Sequence, residues 1–112
     1  MALSKYRELY KKTGEAACLE LLAEECTELA HACLKLARKQ RGENPTPTTM
    51  LDSVKAIHEE IADVELCIEV LACAKWYDND RCTNMFYEKL KRWMTRTGIN
   101  KHGHQRTNRT GG

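Results

Sequence analysis

A chain of 112 residues with 30% charged residues and a net charge of only +2 has the size of one domain and no polyelectrolyte character. No apolar run approaches the roughly 18 residues of a membrane span, and the N-terminus has no signal-peptide core, so a soluble, cytoplasmic protein is expected. Six cysteines, with no CxxC pair and no zinc-type spacing to histidine, read as small buried hydrophobes rather than disulfides or a metal centre.

Taken in order, residues 3–12 predict a short amphipathic helix with Leu3, Tyr6, Leu9 and Tyr10 on one side. Thr13-Gly14 interrupts it, and Gly14 suits the junction to a second helix. Over residues 15–39, Leu19, Leu22, Cys26, Leu29, Cys33 and Leu36 alternate three and four apart and predict an apolar seam. Ala16, Ala23, Ala30 and Ala37 recur every seven residues as a second stripe of small side chains. Arg38, Lys39 and Arg41 suit the negative end of that helix, and Gly42 suits its stop.

Residues 42–49 read as a loop because of Pro45 and Pro47, with Thr46 or Thr48 as the cap of a third helix. That helix is expected over residues 49–77, with a seam of Met50, Val54, Ile57, Ile61, Val64, Ile68 and Leu71. Thr83 is the expected cap of a last helix through about residue 97, whose apolar side is Phe86, Leu90, Trp93 and Met94 and whose C-cap is Gly98. Residues 1–97 are thus expected to form one all-α helical bundle of three to four helices, with residues 98–112 a flexible basic tail. A domain this small buries only around two-thirds of its unfolded surface, so a second chain is expected to complete it.

Two acidic phrases stand out, Glu24-Glu25-Cys26-Thr27-Glu28 and Glu59-Glu60-Ile61-Ala62-Asp63. Residues three apart on a helix are surface neighbours, so Glu25/Glu28 and Glu60/Asp63 are each a carboxylate pair on one face. Four such groups converging between two packed helices repel one another unless a cation sits among them. An all-oxygen ligand set is what a hard ion such as Mg²⁺ or Mn²⁺ takes.

EExxE followed by ExxD resembles the signature of the all-α nucleoside triphosphate pyrophosphohydrolases, the MazG-like group that includes dimeric dUTPases and dCTPases. The resemblance spans residues 15–95 and rests on Glu24, Glu25, Glu28, Glu60, Asp63 and the apolar run Val64 to Leu71. The stretch between Glu28 and Glu60 is longer than in the shorter members, and the extra length falls in the proline-bearing loop. The resemblance implies Mg²⁺-dependent (or Mn²⁺-dependent) hydrolysis of a nucleoside or deoxynucleoside triphosphate to monophosphate and pyrophosphate. It implies Glu25, Glu28, Glu60 and Asp63 as metal ligands, with Glu24, Glu25 and Glu59 in the catalytic group as ligands, orienters or base. It also implies Lys89 and Arg92 as phosphate contacts, and a homodimer or homotetramer.

Two other classes compete. Glu28-Leu29-Ala30-His31 is the ExxH step that ferritin-like di-iron bundles use twice, but the second cluster ends in Asp63 and has no histidine. A non-enzymatic helical interaction protein would turn its acidic pairs to solvent and use its seams for association alone. The tail lacks interleaved aromatics, so specific nucleic-acid binding is not expected. No motif encodes which base the nucleotide carries.

Overall fold

The computed structural model describes residues 2–43 and 48–99. Those residues form four helices and no strand: α1 (Ala2–Thr13), α2 (Glu15–Arg41), α3 (Met50–Leu71) and α4 (Asn79–Arg96). None of the four is long and apolar enough to cross a membrane. The chain divides into two compact units, residues 1–77 and 78–112. The Pro45–Pro47 loop centre, the Thr46 cap and all but the first two residues of the basic tail lie outside the described residues.

In the first unit, Gly14 joins α1 to α2 at a backbone φ of 91°, a conformation that a residue with a Cβ rarely takes. Its N–H closes α1 on the Tyr10 carbonyl at 2.9 Å while its own carbonyl accepts from Cys18 at 2.9 Å. At the far end of α2, Gly42 takes the left-handed cap, φ 74°, and Arg38, Lys39 and Arg41 fill the last turn as the dipole favours. Thr49, and not Thr46 or Thr48, caps α3: its Oγ1 accepts from the Asp52 N–H at 3.0 Å.

Two further boundaries and part of each seam differ from expectation. Helix α3 stops at Leu71, six residues early. Beyond it Cys73 and Ala74 bond three residues back, to Val70 and Leu71, and the tightened turn tucks Ala74 inside. Asp78 then caps α4 by accepting from the Arg81 N–H at 3.0 Å, so that helix begins four residues before the expected Thr83 cap. In α2 the inward positions are Cys18, Leu22, Glu25, Leu29, Ala32 and Leu36, while Leu19, Cys26 and Cys33 are exposed. In α3 they are Ser53, Ile57, Glu60, Val64, Cys67 and Leu71, while Met50, Ile61 and Ile68 are exposed. Both seams keep the four-three period, but each takes a carboxylate at its third position. Apolar counting therefore prefers the stripe beside it.

The core of this unit is small: Cys18, Val70 and Leu71, with Tyr6, Tyr10 and Leu22 packed on them. Leu71 is 5% exposed, so Leu71→Ala is expected to cost about 2–5 kcal/mol in a denaturant melt. Glu15 ties the corner, accepting from the Tyr10 hydroxyl at 2.6 Å and from Trp76 Nε1 at 2.8 Å. The hydrogen bond to Tyr10, then the one to Trp76, hold its carboxyl below the ordinary range, and the same contact pushes Tyr10 up to about 12.

All six cysteines are free. Cys18 is buried and Cys67 and Cys73 half-buried, but Cys26, Cys33 and Cys82 are exposed, against the expectation of buried thiols. In the second unit the apolar side of α4 is Phe86, Leu90 and Trp93, all exposed, and Met94, half-buried. Phe86 and Tyr87 meet edge to face with centroids 5.0 Å apart.

Candidate metal centre

Helices α2 and α3 run antiparallel, with Cys18 against Val70 and Leu71 at one end. That register brings the middle of each seam to the same height. Glu25, Glu60 and Asp63 each offer a carboxylate oxygen, and these atoms all lie within 4.8 Å of one another. This is the one such group among the described residues. Glu25 and Glu60 are half-buried in the seam and Asp63 is exposed beside it.

The electrostatics of the group are those of clustered like charges. Burial pushes the Glu25 carboxyl above its ordinary value, and the charges of Asp63, Glu60, Glu28 and Glu24 push it further. Burial raises Glu60 as well, with Asp63, Glu28 and Glu59 adding to it. The Oε1 atom of Glu60 is buried and has no hydrogen-bond partner. A buried carboxylate oxygen without a donor is costly, and a hard cation among oxygen donors would satisfy it. The donor set therefore fits a divalent ion, which no ligand of the softer sulfur or nitrogen type contributes to.

Of the four expected ligands, three converge. Glu28 is exposed and stands outside the group of three, yet its charge reaches both Glu25 and Glu60. Glu24 and Glu59 are exposed at the border, each acting on the buried carboxyl next to it in sequence. His31, the hinge of the di-iron alternative, is exposed and does not join the group. Lys89 and Arg92 lie on α4 in the second unit, where they share a depression of about 180 Å³ with Trp93 and Arg96.

One neighbour, Cys67, escaped the sequence reading, as did a cation further along α2, Lys35. Cys67 follows Asp63 by one turn, its thiol pushed up by burial first and then by Glu25 and Asp63. It also lines an apolar cavity of about 170 Å³ with Leu9, Leu21, Leu66 and Val70. Lys35 follows Glu28 by seven residues, two helical turns, and so shares its face. The seven-residue spacing was the available signal for both, since Cys67 stands at the same interval from Glu60.

Compared with known proteins, the chain matches no family model, no curated protein and no solved structure.

A carboxyl with a raised folded-state pKa stabilises the fold while protonated and costs stability as pH rises through the raised value. The metal-free protein is therefore expected to lose melting temperature, relative to Glu60→Gln, as pH rises out of the ordinary carboxylate range. Glu15 contributes with the opposite sign, but equally in both proteins, so the comparison removes it. Melts in chelator over that rise in pH check the sign.

Proposed function

We propose that this chain is a metal-dependent nucleoside triphosphate pyrophosphohydrolase, converting a nucleoside or deoxynucleoside triphosphate and water to monophosphate and pyrophosphate. The observation that carries the reading is the convergence of Glu25, Glu60 and Asp63 around an unpartnered buried oxygen, at the positions the EExxE and ExxD phrases single out. A helical interaction protein with no ligand would gain nothing from placing like charges in a seam.

Glu25, Glu60 and Asp63 would hold the ion, Mg²⁺ or Mn²⁺, with Glu28, whose charge reaches Glu25 and Glu60, as a further ligand. Bound there, such a cation supplies charge neutralisation for the triphosphate and Lewis acidity toward water. Glu24 or Glu59, both exposed, would take the proton of the attacking water. Water adds to the α-phosphorus, the bond to the bridging oxygen breaks, and pyrophosphate leaves with that oxygen. Lys35, on the face of Glu28, offers a cation to the departing phosphates. The experiment is pyrophosphate release with wild type and Asp63→Asn in the presence of Mg²⁺. Full activity in the variant would remove Asp63 from the site.

A further inference from the structure

The charge of the chain is unevenly divided between its two units. Residues 78–112 hold eight lysines and arginines against three acids, and residues 1–77 hold ten against thirteen. The overall +2 is therefore made of +5 in the second unit and −3 in the first. A basic segment on an otherwise acidic chain points to a polyanionic partner. Nucleic acid, an acidic protein groove and an anionic bilayer all qualify, and the arrangement of α4 separates them.

Successive residues of α4 turn by about 100°, which sets Trp93, Phe86, Leu90, Met94 and Tyr87 side by side over an arc of about 120°. No charged residue falls inside that arc. Lys89 and Arg96 border its Trp93 edge and Lys91 its Tyr87 edge, while Arg81, Glu88 and Arg92 take the opposite side. The one acid of the helix near an edge is Asp80, in the first turn, where the dipole favours it. Every residue of α4 except Met94 is exposed, Trp93 at 65% and Phe86 at 60%.

We propose that α4 lies flat on the surface of an anionic lipid bilayer, its apolar arc at the boundary between headgroups and acyl chains. The rim of the arc selects this occupant. Phe86, Leu90 and Met94 are wholly apolar and stand inside it, while Trp93 and Tyr87, each an apolar ring with one polar group, stand at its two edges. Such rings favour the level at which a bilayer turns from apolar to wet. Lysine and arginine beside them run their stems along the apolar face and raise their charges to anionic headgroups. A strand of nucleic acid would instead be met by aromatics interleaved with cations. A protein groove of helix length uses only the cations at the edges of the arc. Lys101, Arg106 and Arg109 continue the run with no acid among residues 98–112, and they add attraction only to a surface that extends past the helix. None of the four helices is long and apolar enough to cross a membrane, which fits a helix that rests on one.

The test is sedimentation of the full chain with vesicles, and it stands apart from the reaction proposed above. The chain is expected to bind vesicles of phosphatidylcholine mixed with phosphatidylserine, and to bind pure phosphatidylcholine about tenfold more weakly or worse. Phe86→Ser with Trp93→Ser, and separately Lys91→Glu with Arg96→Glu, are each expected to lower binding to the anionic vesicles by a similar factor. All four side chains are exposed, so the core of the first unit is untouched. Should a variant lose its helix by circular dichroism, wild-type emission decides. The Trp93 contribution, taken as the difference from Trp93→Phe, is expected to shift to the blue on anionic vesicles and to be quenched by brominated lipid. A folded wild type that stays in solution, equal binding to neutral vesicles, or binding that survives loss of the aromatic pair would overturn the proposal. So would a Trp93 emission that shifts with protein concentration alone, the mark of a second copy over the arc, or with an oligonucleotide and not with vesicles.

Discussion

Glu60→Gln and Asp63→Asn are each expected to lower kcat/KM for triphosphate hydrolysis by about 100-fold or more, equivalent to about 2.7 kcal/mol of transition-state stabilisation. Both residues belong to the group whose oxygens lie within 4.8 Å, and losing one charge there weakens the hold on the ion. Glu60 is the sharper case because its Oε1 is buried and unpartnered. An amide puts a neutral group in its place, removing repulsion with Asp63 and Glu28. Glu60→Gln should therefore melt higher than wild type in chelator while turning over poorly, the usual trade at a functional site. Steady-state kinetics and a chelator melt on the same sample read both halves. A variant that loses activity and also destabilises the metal-free fold would speak against convergence.

Mg²⁺ or Mn²⁺ is expected to raise the melting temperature of the wild type, and the effect grows with concentration by mass action. At 100 times the dissociation constant the gain is about 2.7 kcal/mol, which for a domain of this size is a shift on the order of 10 °C. In Glu60→Gln the shift should shrink toward zero, because the ion no longer relieves a buried charge. Ca²⁺ and Zn²⁺ arms add discrimination: an all-oxygen set favours the hard ions, whereas binding through Cys67 would favour zinc. An unchanged melt across all the ions would leave the triad as a plain acidic surface.

The helices were legible because period and punctuation agree in this chain. Gly14 and Gly42 mark the two ends of α2, where the structure takes positive φ, and the proline loop separates α2 from α3. The stop of α3 was not legible, since Ala72, Cys73 and Ala74 continue an apolar run that the structure folds into a tight turn. The seam was legible at Leu22, Leu29, Leu36, Ile57, Val64 and Leu71, and not at the positions between them. Glu25 and Glu60 sit where pattern reading looks for apolar residues, so it turns the stripes beside them inward, and the structure exposes those stripes.

The acidic pairs were legible from three-residue spacing alone. Their convergence was not, because it depends on the register of α2 against α3 across a loop whose centre gives no register. Cys67 carries no motif, and only placing the seams brings it beside the carboxylates. Lys89 and Arg92 share one surface of α4 with Trp93 and Arg96, a grouping that the three-residue spacing foreshadowed.

The most direct test of the proposed reaction is pyrophosphate release from a panel of canonical and modified nucleoside triphosphates, run with Mg²⁺, Mn²⁺ or EDTA. The account predicts release that needs the metal, stops in EDTA, favours one or a few bases, and leaves the nucleoside monophosphate as the second product. Release of orthophosphate instead, or no release from any member of the panel by a folded protein that binds Mg²⁺, would contradict it.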